Sequence, residues 1–175
     1  MRGNWDESAD VPPQPLEADA ILRTLLQHDV EFVVVGGLAV AAHGFPRGTK
    51  DVDVVPAPDR ENRRRLFTAL SELDAQPLEL GNLRELPVPF TPEGLDEGGN
   101  WALRTKAGRV DVLQWLAGIE GYAQLREGAL HADVPGIGRV AFAGYDELVA
   151  MKRAAGRPLD EADLDELRRV RGHRS

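Results

Sequence analysis

Hydrophobic and polar positions alternate between two periods along this chain, and the switches between them outline its elements. Apolar residues at Leu16, Ala20, Ile21, Leu25 and Leu26 follow the helical period and predict a helix over 16–28 with one buried stripe. Phe32 to Val35 is an unbroken apolar, largely β-branched run, the pattern of a strand buried on both faces. Gly36 and Gly37 end it, Leu38 to His43 is compatible with a short helix, and 44–49, with Pro46, reads as a loop. A second strand covers Asp51 to Val55 and is stopped by Pro56 and Pro58. Asp59 stands where an N-cap belongs, ahead of a helix with Leu66, Phe67, Leu70 and Leu73 on one side. Four prolines and the Gly98-Gly99 pair predict a long irregular connection over 75–100, with a short strand near 78–80. Trp101 to Trp115 then alternates about Lys106-Ala107-Gly108, which predicts a β-hairpin. A helix over 119–127 and a second hairpin turning at Pro135-Gly136 follow, and the chain closes with helices over 145–155 and 160–170, separated by Gly156.

Composition narrows the class. The 175 residues make one domain's worth of chain, with a single folded domain expected over 16–175. Residues 1–15 are polar and Pro-rich and are expected to form a flexible leader; they contain no signal-peptide-like apolar core. No run is long enough to span a membrane, so the expectation is a cytoplasmic protein without membrane contact. The absence of cysteine removes disulfides, thiolate metal sites and thiol nucleophiles. A net charge of −8 argues against a general nucleic-acid coat protein, yet leaves an RNA substrate open, because local basic patches guide phosphates whatever the overall balance.

The candidate chemistry is carried by carboxylates. Strand alternation sends Asp51 and Asp53 to one face and Val52 and Val54 to the other. Two acids so close repel unless a cation lies between them, and a divalent metal such as Mg²⁺ fills that need while leaving positions for phosphates. The alternative is a water-facing strand with two solvated acids. Asp111 sits among valines in the second strand of the first hairpin, where an aspartate needs a partner; that partner is either a shared metal site or its neighbour Arg109. Gly36 and Gly37 serve either a tight turn or the close approach of a phosphate to bare backbone.

The run from Val33 to Ala39, followed by Arg47-Gly-Thr-Lys-Asp-Val-Asp-Val-Val, resembles the signature of the DNA polymerase β-like nucleotidyltransferase superfamily. The stretch from Leu148 to Leu164, with Lys152 and Gly156-Arg-Pro-Leu-Asp-Glu-Ala-Asp-Leu, resembles AbiEii-type members, a group that contains toxins of toxin–antitoxin systems. The resemblance spans about Phe32 to Leu167 and implies an α/β fold: a small mixed sheet flanked by helices, with C-terminal helices. It implies a two-metal Mg²⁺ site on Asp51, Asp53 and Asp111, and an NTP positioned by Gly36, Gly37, Thr49, Lys50 and Lys152. Lys152 thereby joins the three acids as a catalytic candidate, its alternative being a solvent-facing helix lysine. The implied reaction moves a nucleoside monophosphate to a hydroxyl acceptor, a tRNA 3′ end by analogy with the toxins, with a cognate antitoxin as a partner. A small-molecule acceptor of the aminoglycoside kind, and an inactive binding or antitoxin module, stand as alternatives.

Several other residues have two roles open. Asp160 and Asp163 fit N-cap and N3 positions of the last helix as well as a functional role, and Arg157 suits either phosphate or those acids. His43 is read as a structural helix-end residue. Arg60, Arg63, Arg64 and Arg65 form either a solvated basic face or a contact for a phosphate-bearing partner.

Overall fold

The computed structural model describes residues 15–78 and 90–172; the leader expected over 1–15, apart from Pro15, and the end of the strand expected near 78–80 lie outside them. Within the described residues the chain runs α1 (Ala18–Gln27), β1 (Phe32–Val35), α2 (Gly36–Ala42), β2 (Asp51–Pro56), α3 (Arg60–Glu72) and β3 (Gln76–Pro77). It continues α4 (Pro92–Asp96), β4 (Asn100–Thr105), β5 (Gly108–Leu113), α5 (Tyr122–Glu127), β6 (Leu130–Val134), β7 (Gly138–Phe142), α6 (Tyr145–Ala155) and α7 (Pro158–Gly172).

The strands form one mixed sheet in the order β3-β4-β5-β2-β1-β7-β6. The two hairpins, β4–β5 and β6–β7, are antiparallel, as is β1–β2. The parallel pairings β2–β5 and β1–β7 join these units into a continuous sheet. Val33, Val34, Val52, Val54, Val110 and Val112 are fully buried at its centre. The stripes expected from periodicity supply the covering layer: Ile21 and Leu25 from α1, Leu66 and Leu70 from α3. Each such side chain contributes about 1.5–3 kcal/mol on burial, so the sheet centre and these two stripes form the main store of stability.

One buried polar residue ties the layers together. Asn62 donates to the carbonyls of Glu31 and Ala57 and accepts from the Glu31 amide, while Asp59 caps α3 by accepting from the Asn62 N–H at 2.8 Å. Asn62 therefore pins the start of α3 to the end of β2 and the entry to β1.

Several boundaries differ from expectation, and β3 covers Gln76–Pro77, just ahead of the strand expected near 78–80. α2 begins at Gly36 instead of Leu38, because the paired glycines form its first turn. α4 lies inside the stretch expected to be irregular, where the Thr91 hydroxyl accepts from the Gly94 N–H and Pro92 opens the helix. α5 starts only at Tyr122, after Gly121 with φ at 146°. α7 starts at Pro158, so Asp160 lies in its first turn and Asp163 beyond, instead of at the N-cap and N3 positions. No helix among the described residues is long and apolar enough to cross a membrane.

Candidate active site

The parallel pairing of β2 with β5 decides the geometry of the acids. Its register sets Asp53 beside Asp111, while the antiparallel pairing with β1 sets Asp53 beside Val35, the last residue before the glycine turn. Asp51, Asp53 and Asp111 therefore share one face, and one carboxylate oxygen from each lies within 4.8 Å of the others. Burial, and then the charges of Asp51 and Asp111, push the Asp53 carboxyl up from 3.8 to about 7, against the opposing pull of Arg109 and Arg157. That is the electrostatic signature of an acid cluster short of positive charge. The donor set is all hard oxygen, the kind preferred by Mg²⁺ and similar divalent ions. These three residues fit a metal.

Asp111 lies in the acid cluster and also has the neighbouring Arg109 as a partner. Arg109, two residues back on the same strand face, grips its carboxylate with two hydrogen bonds of 2.8 Å. The same guanidinium lies 3.9 Å from Asp51, so it balances part of the cluster's charge from one side.

The glycines fit closely against this cluster. Gly36 has φ +64°, and a Cβ there would lie 2.0 Å from Asp53 Oδ2, an impossible contact. Gly36 is thus obligatory on both backbone and steric grounds. At Gly37 a Cβ would come within 2.9 Å of Thr49 Oγ1 and 3.2 Å of an Arg47 guanidinium nitrogen. The Thr49 hydroxyl lies 3.0 Å from the Asp51 carbonyl and 3.3 Å from its carboxylate, so it orients the start of β2. Lys50, which precedes Asp51 in the chain, is exposed and forms no ion pair among the described residues.

Lys152 is far from a solvent-facing lysine. It is 6% exposed, with its ammonium 2.6 Å from Asp163 and 3.2 Å from Asp160. Asp163, itself 1% exposed, also faces Arg47 at 3.1 Å, in an ion pair that lacks hydrogen-bond alignment. Asp160 receives Arg157 through its side chain at 2.7 Å and its backbone N–H at 3.2 Å, so it does cap α7, from inside the first turn. Arg47, Lys152, Asp160, Asp163 and Arg157 thus join the β1–β2 connection to α6 and α7. Local periodicity leaves Asp163 open and gives Arg47 no role, since it cannot announce a partner from a distant loop.

A cavity of about 340 Å³ opens between Asp53 of the acid cluster and this network. Gly36 and Asp53 line one part, Lys152, Arg157 and Asp160 another, and Leu116 and Met151 supply apolar wall. Two other candidates fall outside it. His43 bonds through Nε2 to the Ala143 carbonyl at 2.9 Å and has a structural role. In the basic stretch of α3, Arg60 and Arg63 pair with Asp96 of α4, and Arg65 lies 3.8 Å from Glu61 and donates to the Asp29 carbonyl.

No protein-family model matches the chain, and no curated protein sequence is similar to it. Solved structures are more informative. The chain is similar to the solution structure of the antibiotic-resistance factor ANT(2″)-Ia, with a TM-score of 0.55 and 16% identity over 87% of this chain and 79% of that one. The crystal structure of ANT(2″)-Ia with adenylyl-2″-tobramycin gives a TM-score of 0.52 and 17% identity over 87% of this chain and 84% of that one. The architecture is the nucleotidyltransferase fold.

Proposed function

We propose that the protein is a divalent-metal-dependent nucleotidyltransferase that moves a nucleoside monophosphate from an NTP to a hydroxyl acceptor and releases pyrophosphate. The observation that carries this reading is the convergence of Asp51, Asp53 and Asp111 from two adjoining strands against the Gly36 turn. Such a cluster is costly to keep unless a cation is used there.

Asp51, Asp53 and Asp111 would hold the metal, with Mg²⁺ the ion best matched to carboxylates and phosphates together. When bound, the metal neutralises charge on the reacting phosphate and lowers the pKa of an attacking hydroxyl. The chain's own residues do the rest. Asp111, kept in place by Arg109, accepts the acceptor's proton. Gly36 and Gly37 let the triphosphate approach the backbone closely, with Thr49 fixing the adjoining strand. Lys50 and Arg157 offer exposed positive charge, and Lys152 adds charge to the cavity wall while holding Asp160 and Asp163.

For the acceptor, the resemblance of the Lys152 to Leu164 stretch favours an AbiEii-like reading, with a tRNA 3′ end as substrate and a cognate antitoxin as partner. A second reading, a cationic small molecule drawn to the acid cluster, is supported by the likeness in fold to a protein solved with adenylyl-2″-tobramycin. Transfer of label from each α-labelled NTP with Mg²⁺, offered total tRNA in one arm and aminoglycosides in the other, tests both. An Asp51→Ala/Asp53→Ala double variant is the control. Labelled tRNA supports the first acceptor and labelled aminoglycoside the second; no transfer to either, with no metal-dependent NTP binding, overturns the enzymatic reading.

A further inference from the structure

Trp115 is 73% exposed, the most exposed of the large hydrophobic side chains among the described residues, and it lines the same cavity as Asp53 and Gly36. An isolated exposed tryptophan on a loose loop would mean little. This one is held in place. Asn100, at the start of β4, accepts through Oδ1 from the Gln114 and Trp115 N–H groups at 2.9 and 3.0 Å, and its Nδ2 donates to the Trp115 carbonyl at 3.0 Å. Three residues later Gly118 (φ +89°) passes so close to α6 that a Cβ would lie 2.5 Å from the Ala150 carbonyl. The segment 115–118 is therefore fastened at both ends, to β4 and to α6, and presents an indole and Leu116 toward a cavity whose other apolar wall includes Met151 of α6.

We infer that Trp115 is the stacking platform for the nucleobase of the nucleotide, and that this subsite selects ring area and not base identity. The inference rests on the nucleotidyltransferase reading and adds to it the way the base is held. The chemistry of the lining supports it: Asp53 and Gly36 suit metal and phosphates, while Leu113, Trp115, Leu116 and Met151 supply the apolar surface that suits a ring. A tryptophan gives stacking that every base can use, because every base has a π-face. Reading a base edge needs free side-chain donors and acceptors, and the nearest amide, Asn100, already spends its oxygen on two backbone N–H groups. Lys152 and Asp160, also on the cavity wall, bond to each other, and the Arg157 guanidinium is engaged by the same Asp160 carboxylate.

The test is calorimetric and fluorimetric titration of the full chain with Mg²⁺ and ATP, GTP, CTP or UTP, and separately with inorganic tripolyphosphate. Wild type, Trp115→Phe and Trp115→Ala are compared. Expected are tighter binding of both purine nucleotides than of both pyrimidines, quenching of tryptophan emission that Trp115→Phe removes, and affinity largely kept in Trp115→Phe. Trp115→Ala should weaken ATP and GTP roughly 5- to 100-fold and leave tripolyphosphate unchanged. Because the side chain is exposed, thermal midpoints should be the same for all three proteins. ATP binding to Trp115→Ala as tightly as to wild type overturns the inference, as does strong preference for one purine over the other. Failure of wild type to bind either ATP or tripolyphosphate overturns the nucleotidyltransferase reading itself, a result separable from the other two.

Discussion

Asp53→Asn is expected to stabilise the metal-free protein at neutral and alkaline pH while abolishing transfer. In the unfolded chain this carboxyl releases its proton near pH 4, whereas in the fold it holds it to about 7. Between those values the folded state binds more protons than the unfolded state, so unfolding free energy falls as pH rises. The penalty is absent below the lower value, grows through the window and is constant above the upper one. A shift of roughly three units at about 1.4 kcal/mol each sets a ceiling of about 4 kcal/mol. Part of the Asp53 shift comes from the neighbouring charges of Asp51 and Asp111, which solvent and salt screen, and this brings the working figure to about 2–4 kcal/mol.

Asparagine has the same shape and no charge, so it escapes the penalty without leaving a void against Gly36. The expected gain in melting temperature is about 4–16 °C at this chain length. Denaturation with a chelator present, at about pH 5 and about pH 8, should show the variant's advantage widening with pH. Adding Mg²⁺ should raise the wild-type midpoint more than the variant's, since a ligand stabilises only what binds it. A variant no more stable than wild type at about pH 8, or an advantage independent of pH, would refute the electrostatic account of the cluster.

Three further outcomes follow from the packing. Gly36→Ala forces a methyl group into Asp53 Oδ2 and strains a left-handed backbone, so it should cost at least about 2 kcal/mol in urea unfolding and eliminate transfer. Asp163→Leu leaves Lys152 and Arg47 without their shared acid and should cost about 3–5 kcal/mol, read by the same unfolding measurement; a near-neutral result would mean that water already compensates those charges. Asn62→Ala should lose about 2–4 kcal/mol by orphaning the Glu31 and Ala57 backbone groups, yet leave the NTP affinity of the folded protein unchanged, because Asn62 contacts the end of β2 away from the acids.

Much of the site was legible because its residues break local rules. An acid alternating with valine in Asp51 to Val55, an aspartate among valines at position 111, and a glycine pair ending an apolar run are each anomalies within a few residues, and strand alternation alone assigns their faces. The partnership between them was not legible in local pattern and came only with the family resemblance: β2 and β5 are distant in sequence, and their parallel register is what sets Asp53 beside Asp111. Helix boundaries failed where one residue carried two meanings. Pro92 reads as part of an irregular connection and the last helix is expected only from Asp160, yet Pro92 and Pro158 both stand in a first turn, where proline costs no hydrogen bond.

Lys152 shows how far such inference reaches. By sequence it is a lysine on a helix, and burial of a lone ammonium would be prohibitive. What makes burial tolerable is α7, which returns Asp160 and Asp163 to within 3.2 and 2.6 Å of it, while Asp163 also faces Arg47. Three cations then face two acids in this network, so the wall opposite Asp51, Asp53 and Asp111 keeps one unit of positive charge. Arg157, with its side chain 74% exposed, is the member of that network open to solvent and on the cavity wall. An anion entering the cavity therefore meets Arg157 before it can compete for Lys152. On this arrangement Lys152 acts first by holding α6, α7 and the Arg47 loop together, and the cleft between the acid cluster and α7 owes its shape to that bond.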